Sequence, residues 1–470
     1  MVLRNPESIH PITLPNRKSA YVTCEAERRD RQAALEAQLQ AWRVMLPELL
    51  EQFSEIPDPR NPNSIQHKST VLLVFGMMMF VFQVTSRRQA NRELTRPLFW
   101  DLFQEVFPEV DSIPHADTVN RLLERIDPSE LEQTLLQTVK QLLRSGRLDA
   151  LMVEKQYVIV IDGTQKFVRD WSWAPETLRR RHGENTSYSA YALEACLVSP
   201  QGVRIPFLTE FCENVLDGDE FAKQDSEYKA CKRLLARLRK VFPKLRIMIV
   251  ADGLYPTGPF MALCQRLNLD FMLVLKRDCL PSVWEDVDGL RKLTRDQMRR
   301  HQWGNQQQEF WWVNQVEYDF SEEDHRRRIK IHVVGCTETW QEDGEEHTTH
   351  WAWVSSRVLT AKNVLERCNR AARHRWGIEE TLLTEKHQGY QYEHAFSLKW
   401  RAMKNWHTLM HLGHLLNTLT LHTRVLMEKM HVLGIRDTLR FLRETWMHPW
   451  VEREQLKVWC KKRPTLRMAL

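Results

Sequence analysis

The sequence has little of what marks a secreted, membrane-spanning or repetitive protein. Its N-terminal segment, MVLRNPESIHPITLPNRK, contains no apolar stretch, so no secretory signal is predicted. The most apolar run, VLLVFGMMMFVF at 71–82, is shorter than the roughly 20 residues that cross a bilayer, and a buried helix is the better interpretation. The sequence shows no internal repeat and no low-complexity tract. These absences predict a cytoplasmic protein with no membrane partner.

Cysteines are scattered, and charge of one sign is in only slight excess. None of the nine cysteines belongs to a CxxC pair, so the usual zinc spacing is absent and reduced, buried thiols are predicted. The 67 basic residues exceed the 61 acidic residues by a formal charge of +6, which is compatible with a polyanionic partner but does not identify one. The 43% hydrophobic content allows a sizeable core, and a chain of this length is expected to form about three units.

Apolar spacing predicts helices at both ends of the chain and a sheet between them. Apolar residues recur at helical spacing across 26–53, although Pro47 is expected to kink or split that helix. From 157 onward, β-branched runs predict three neighbouring strands and then alternating helix and strand, which indicates a mixed α/β sheet with helices on its faces. Residues 277–355 are interpreted as a β-rich insertion, and the pattern is helical from Ala361 nearly to the end.

Basic residues cluster within the short helices predicted across 70–150. Arg87, Arg88, Arg92 and Arg96 lie there, between tight turns, which is compatible with contact to DNA. Ordinary packing of short helices explains the same pattern. Both interpretations stay open at this point.

Two aspartates follow β-branched runs and precede glycine. Asp162 ends the predicted strand YVIVID, and Asp252 ends the predicted strand IMIVAD. Either aspartate alone is more simply interpreted as an Asp-Gly turn after a strand. Together they project from the carboxyl ends of two predicted buried strands, the edge at which open α/β sheets place their chemistry. If the strands are neighbours, the two carboxylates can share a divalent cation.

A third acidic group is expected because hard cations such as Mg²⁺ take several oxygen ligands. On a helix predicted from about 361 to about 388, Arg375, Glu379 and Lys386 fall within about 40° of one another. One acid between two cations on a single stripe suits a site that holds both metal and phosphate. A surface ion pair between Arg375 and Glu379 explains the same spacing.

The segment HRWGIEETLLTEKHQGYQYEHAF resembles the signature helix of DDE transposases of bacterial insertion sequences, in the IS-four superfamily. That signature is Tyr, two residues, Arg, three residues, Glu, six residues and Lys. Arg375, Glu379 and Lys386 match its last three positions, and Ala372 stands at the tyrosine position. The segments VIDGTQKF and KQDSEYKACKRLLARLRKVFPKLRIMIVADGLY resemble those that carry the family's first and second catalytic aspartates. DPR with the following apolar run at 71–82 resembles its N-terminal region.

The resemblance implies a ribonuclease H-like core with Asp162, Asp252 and Glu379 as its catalytic and metal-binding triad. The triad would hold two Mg²⁺ ions, with Mn²⁺ as a possible substitute. Arg375 and Lys386 would contact phosphates at the end of the mobile element. In the resembled family the tyrosine helps to position DNA phosphates, a contact for which the side chain of Ala372 has no polar atom.

A tryptophan in the last strand of the insertion also has a counterpart. In the resembled family a tryptophan 28 residues before the glutamate stacks on a flipped base, and Trp351 stands at that spacing. Trp353 lies on the same strand face and is an alternative. A core role explains either tryptophan equally simply, since tryptophans in strands usually pack.

The implied activity is cleavage of the ends of a mobile element, followed by joining of the freed 3′-OH to target DNA by two-metal phosphoryl transfer. The implied partner is double-stranded DNA, both as transposon ends and as target. A homodimer on DNA is expected because two ends must be brought together. The expected location is the bacterial cytoplasm, in association with DNA.

The expected fold class is therefore α/β, with a ribonuclease H-like mixed sheet, a β-rich insertion, and helical regions before and after. Six regions are predicted. They are an irregular tail (1–20), a helical N-terminal region that is the candidate for DNA binding (21–150), the first part of the catalytic core (151–276), the β-rich insertion (277–355), the second part of the core with the Glu-bearing helix (356–425) and a helical C-terminal region (426–470).

Three other interpretations remain open. His407, His411 and His414 share one helical face and could hold zinc, but HExxH is absent and the surrounding helix is apolar, which favours packed histidines. A domesticated or inactive DNA-binding protein would keep the same fold and basic surfaces. A ribonuclease H-like nuclease without strand transfer would keep the same triad.

Overall fold

The computed structural model describes residues 21–214, 225–322, 324–466 and 468–469; the tail predicted for 1–20 lies outside them. The helices are α1 (Cys24–Glu55), α2 (Ser69–Val81), α3 (Arg87–Glu93), α4 (Pro97–Val106), α5 (Ala116–Leu123), α6 (Pro128–Arg144), α7 (Glu227–Val241), α8 (Gly258–Arg266), α9 (Pro281–Leu293), α10 (Trp376–His387), α11 (Trp400–Leu421), α12 (Arg424–Met447) and α13 (Arg453–Lys461). The strands are β1 (Tyr157–Arg169), β2 (Leu178–His182), β3 (Asn185–Val198), β4 (Arg204–Cys212), β5 (Ile247–Ala251), β6 (Asp270–Val274), β7 (Met298–Trp303), β8 (Gln306–Glu322), β9 (His325–Glu342) and β10 (Glu345–Ser355).

All ten strands form one mixed sheet. Its order is β2-β3-β1-β5-β6-β10-β9-β8-β7, and β4 also pairs with β3, along the second half of that strand. β1, β5 and β6 are parallel to one another, whereas the pairs that involve β3, β10 and β8 are antiparallel. The predicted mixed α/β sheet with flanking helices is therefore confirmed. The division into six regions stays a prediction.

The parallel strands at the centre of the sheet are apolar because helices cover both of their faces. All five residues of β5 are buried, and the first five residues of β1 are buried too. Continuous β-branched runs are typical of such doubly covered strands. This is why YVIVID and IMIVAD were recognisable as strands in the sequence.

Alternating side chains of β3 define which helices lie on each face. Tyr191 contacts Glu227 of α7, whereas Glu194 contacts His407 of α11 and Cys196 contacts α10. Odd and even positions of a strand point to opposite faces. Helix α7 therefore covers one face of the sheet, and α10 and α11 cover the other.

The apolar run at 71–82 forms the core helix α2, which is buried throughout Val71–Val81 and packs on α11. Two glycines allow this close approach. A β-carbon at Gly76 would lie 2.9 Å from Leu409 Cδ1, and one at Gly413 would lie 2.8 Å from Phe80 Cβ. Among the described helices, none is both long and apolar enough to cross a bilayer.

Replacing Gly413 with valine is expected to force α2 and α11 apart. Overpacking of this kind should lower the free energy of unfolding by about 1–3 kcal/mol, measured by chemical denaturation. Gly289→Ala in α9 is the matched control, since a β-carbon there meets nothing within 4 Å. The control should be neutral or more stable by about 0.5–1 kcal/mol, and equal losses in both variants would contradict the packing argument.

Helix α1 is not split at Pro47, which corrects one of the two effects expected of that proline. The helix runs unbroken from Cys24 to Glu55 with Pro47 inside. Trp42, Met45, Leu46 and Leu49 around the proline are buried in the core. Packing of these side chains offsets the lost backbone hydrogen bond.

The range 277–355 is not wholly β-rich, because its first part is helix α9. Val283, Trp284 and Val287 are buried at helical spacing and face β8. The rest of the range is an antiparallel meander of β7, β8, β9 and β10. Strands β2 and β7 were not foreseen, since LRRRH and MRRHQW lack an apolar alternation.

The single helix predicted from about 361 to about 388 is also wrong. A π-helical turn at Glu366–Ala371 and a 3₁₀ turn at Ala372–Arg375 precede α10. Buried polar side chains in the irregular part bond to distant elements: Arg367 pairs with Glu154, and Asn369 bonds to Gln308. These long-range bonds, which helical periodicity does not contain, account for the irregular turns.

Candidate active site

Two neighbouring parallel strands bring Asp162 and Asp252 to one edge of the sheet. β1 pairs with β5 so that Val160 lies opposite Val250. Continuing that register by two residues places Asp252, directly after β5, beside Asp162. Adjacent strands are about 5 Å apart, and partner residues point to the same face. The strands are neighbours, as the shared-cation hypothesis requires.

Asp162 itself does not end its strand, which corrects the sequence-based expectation of an Asp-Gly turn. β1 continues to Arg169 because β3 pairs with it along its whole length, beyond the point where β5 stops. Asp162 is therefore paired with β3 on one side, whereas the pairing with β5 on the other side has already ended at Val160. At Asp252 the turn is present, and Leu254 N–H donates to Asp252 Oδ1 at 2.9 Å.

Glu379 approaches the same edge from helix α10. A β-carbon on Gly377 would lie 2.9 Å from Val198 Cγ1, and Thr381 Oγ1 lies 3.4 Å from Cys196 Sγ, so α10 rests closely on β3. Asp162 is the cross-strand partner of Glu194 in β3 and therefore points to the α10 face of the sheet. Glu379 lies on that face as well.

Three other acids act on the pKa of Asp162. Burial raises the pKa of Asp162 from 3.8 to about 6; its hydrogen bond from Gly163 N–H works against that rise, and the charges of Asp252, Glu227 and Glu379 add to it. Three carboxylates from three different elements thus act on this one group. Like charges brought together in this way favour either a proton or a cation.

The arrangement of oxygens fits a divalent cation. Gly163 N–H donates to Asp162 Oδ1 at 2.9 Å, and Leu254 N–H holds Asp252 Oδ1. No hydrogen bond or ion pair within the described ranges reaches the second oxygen of either aspartate. Carboxylate oxygens are the ligands that Mg²⁺ and Mn²⁺ prefer. The donor set and its excess of negative charge therefore suit these ions.

The raised pKa of Asp162 predicts a pH dependence. Between 3.8 and about 6 the folded protein binds more protons than the unfolded chain, so the metal-free protein should lose stability as pH rises through that interval. Mn²⁺ should restore the stability above about pH 6, where the carboxylate is free to bind it. Thermal unfolding with Mn²⁺ and with EDTA, across this interval, measures both effects.

Asp162→Asn is the control for the pH dependence. It should remove the loss of stability in this interval and most of the gain from Mn²⁺. If Mn²⁺ stabilises the asparagine variant as much as the wild type, the cation binds elsewhere.

The two predicted phosphate contacts are both engaged by carboxylates. Arg375 Nη1 lies 2.6 Å from Glu379 Oε1, with its guanidinium 4.0 Å from the ring centre of the exposed Trp376. Lys386 Nζ lies 3.2 Å from Glu393 Oε1. Arg375 therefore orients Glu379 in this structure. The i, i+4 ion pair that competed with the functional interpretation is present.

The predicted base-stacking tryptophan is half-buried. The ring of Trp351 stacks on that of the buried Trp353 at a centroid distance of 6.1 Å, and its Nε1–H donates to Glu338 Oε2 at 2.9 Å. Arg373 lies over both Trp351 and Trp303. Of these tryptophans Trp303 is the most open, at 39% exposure, and the sequence did not single it out. The base-stacking role of Trp351 stays a prediction.

The histidines of α11 lie in a separate buried cluster with two glutamates. His407 Nε2 lies 3.0 Å from Glu194 Oε1, and His414 Nδ1 lies 2.7 Å from Glu385 Oε1. One ligand atom each of Glu194, His407 and His411 lies within 4.8 Å of the others, a spacing that can hold a metal ion. The three histidines are thus packed, as the preferred interpretation held.

This cluster carries its own balancing cations. Lys166 Nζ lies 3.2 Å from His407 Nδ1 and donates to the Tyr392 carbonyl at 2.9 Å. Although burial opposes it, the carboxylates of Glu385 and Glu194 raise the pKa of His411. Lys166 offsets part of the negative charge of the two buried glutamates, and the raised pKa of His411 favours a further positive charge beside them.

One further carboxylate near the acids escaped the sequence reasoning. Glu227 accepts from Tyr191 Oη at 2.5 Å and from Tyr255 Oη at 2.6 Å. Glu227 opens α7, where an acid is ordinary, so only the folded arrangement reveals it. Ala372, at the family's tyrosine position, is buried and offers no polar atom to a phosphate.

A family model matches this chain, and the match covers the N-terminal helices. Residues 50–139 match the family described as DDE_Tnp_1-associated. The match supports a DDE transposase context. DDE transposases act on DNA and generally use divalent metals, in agreement with the oxygen-rich edge. The matched segment contains α2, α5 and α6, which all pack on α11. No curated protein matches the chain.

Proposed function

We propose that the protein is a DNA transposase that cleaves the ends of a mobile element and joins the freed 3′-OH to target DNA. The observation that carries this proposal is the pairing of β1 with β5, which puts Asp162 and Asp252 at one sheet edge, together with the charge of Glu379 that acts on Asp162. The DDE_Tnp_1-associated match at 50–139 supports it independently, because that segment contains none of the three acids.

We further propose that the core is ribonuclease H-like. The neighbouring antiparallel strands β4, β3 and β1 are followed by alternating helices and the parallel strands β5 and β6. The meander β7–β10 then intervenes before the helix that carries Glu379. This order agrees with what the resemblance implies.

Asp162, Asp252 and Glu379 would hold the cations. When bound, divalent ions would assist the attacking oxygen and stabilise the charge on the leaving oxygen. Backbone N–H groups fix one oxygen of each aspartate and leave the other for a ligand. Arg375 fixes the orientation of Glu379 and offsets part of its charge. Asp162 must lose its proton before it can act.

The DNA contacts form the second part of the proposal. Lys386 would exchange Glu393 for a backbone phosphate, and Arg375 would contact the phosphate nearest to Glu379. Arg88, Arg92 and Arg96 are exposed in the segment at 50–139 and offer further phosphate contacts. Trp351 would stack on a base once the ends are opened, and two protomers would join the two ends.

The test incubates purified protein with labelled duplexes of the element's ends, a target plasmid and Mg²⁺. The proposal expects nicking that exposes a 3′-OH, followed by covalent joining to the plasmid. EDTA should prevent both steps. Nicking without joining would identify a nuclease, and binding without nicking would identify a DNA-binding protein; either result overturns the proposal.

A further inference from the structure

A carboxylate outside the predicted triad joins the elements that carry both aspartates. Glu227, at the start of α7, accepts from Tyr191 Oη through Oε2 and from Tyr255 Oη through Oε1. Tyr191 belongs to β3, which pairs with the Asp162 strand. Tyr255 lies in the turn that follows Asp252, and its N–H donates to the Asp252 carbonyl at 3.3 Å. One oxygen of Glu227 thus contacts the strand that pairs with the Asp162 strand, and the other contacts the turn that follows Asp252.

Gly163 explains how Glu227 reaches the sheet. A β-carbon at this position would overlap Glu227 Oε2 and Tyr191 Oη. Gly163 faces α7 because successive strand residues point to opposite faces, whereas Asp162 faces α10. The carboxylate therefore lies behind β1, on the face opposite to the triad, in space that any other residue would fill.

We propose that Glu227 is a positioning residue that holds Asp162 and Asp252 at the separation a shared cation requires. The proposal rests on the proposed function. Both oxygens of Glu227 are occupied by tyrosine hydroxyls, so it acts through Tyr191 and Tyr255 and does not bind the cation. Tyr255 is only 1% exposed, so the link to the Asp252 turn is rigid and shielded from water.

Substitutions of Glu227 distinguish a role of its shape and hydrogen bonds from a role of its negative charge. A glutamine keeps the length and one acceptor oxygen, and its amide can donate to the second tyrosine. An alanine removes both contacts. If Glu227 acts through geometry, Glu227→Gln should retain most of the function that Glu227→Ala loses. Gly163→Ala should resemble Glu227→Ala, because it displaces the carboxylate and leaves every charge in place.

The experiment measures Mn²⁺ binding to the full-length protein by electron paramagnetic resonance. The expected result is an affinity about 10-fold weaker in Glu227→Ala and Gly163→Ala, in the range found when groups that orient metal ligands are removed. Glu227→Gln should bind within about threefold of the wild type by the same reasoning. The spectrum of the bound ion should broaden in the two weak variants, since the ligands are less well fixed.

Tyr157→Phe is the matched control. Its hydroxyl donates to Asp149 at 2.8 Å, a second tyrosine-carboxylate pair at the other end of β1, and its loss should leave Mn²⁺ binding unchanged. Wild-type affinity in Glu227→Ala, with only a lower melting temperature, would reduce Glu227 to a structural role and overturn the inference alone. Absence of Mn²⁺ binding in the wild type would overturn the proposed function together with it.

Discussion

Asp162→Ala, Asp252→Ala and Glu379→Ala are each expected to lower the rate of strand nicking and of strand joining by roughly 10³-fold or more. Bound metal ions stabilise the transition state by several kcal/mol, and each 1.4 kcal/mol is about a factor of 10 in rate. Both steps should fall together, because the proposal assigns them to one site. The measurement is the single-turnover rate on labelled end duplexes with Mg²⁺.

Glu380→Ala is the control for this series. Glu380 neighbours Glu379 on α10 but is exposed and pairs with Arg204, away from the aspartates. Its rate should stay close to that of the wild type, since an exposed ion pair contributes little. Nicking that survives in any of the three alanine variants, with the fold intact by circular dichroism, would dismiss the triad.

Lys166→Met is expected to cause the largest loss of stability. Lys166 is buried beside Glu194, Glu385 and His407. Removing one partner of a buried charged group leaves the remaining charge uncompensated and costs about 3–5 kcal/mol. The free energy of unfolding at about pH 7, from chemical denaturation, measures this loss, because burial lowers the pKa of Lys166 to about 8 and its ammonium is still largely charged there.

The loss should be smaller in acid. Burial, with the charges of Lys166 and His411, lowers the pKa of His407 to about 4 in the wild type. Without Lys166 that pKa rises, so His407 takes up a proton as pH falls and replaces the missing positive charge. The exposed Lys362→Met should change stability by less than about 0.5 kcal/mol at either pH. An equal loss for Lys166→Met at about pH 5 and about pH 7 would contradict the charge balance.

Strong local patterns accounted for the sheet and for the aspartates. The β-branched runs of β1 and β5 are buried on both faces, which leaves a periodicity that the sequence displays directly. Asp252 ends a strand as predicted. Asp162 does not, because the length of β1 is set by its antiparallel partner β3, and no feature of the DGTQK segment reports that pairing.

The features that the sequence did not predict depend on contacts between residues far apart in the chain. The break before α10 depends on Arg367 and Asn369 reaching Glu154 and Gln308. Glu227 is an unremarkable first-turn acid until Tyr191 and Tyr255 are seen on it. The N-terminal segment at 50–139 carries the family match, and within it only DPR and the following apolar run resembled the family in sequence.

The most direct test is the anomalous diffraction of Mn²⁺ in crystals of the metal-loaded protein. The account predicts anomalous peaks bounded by carboxylate oxygens of Asp162, Asp252 and Glu379. A peak at Glu194, His407 and His411 instead, or carboxylates of the three acids too far apart to touch one cation, would contradict it.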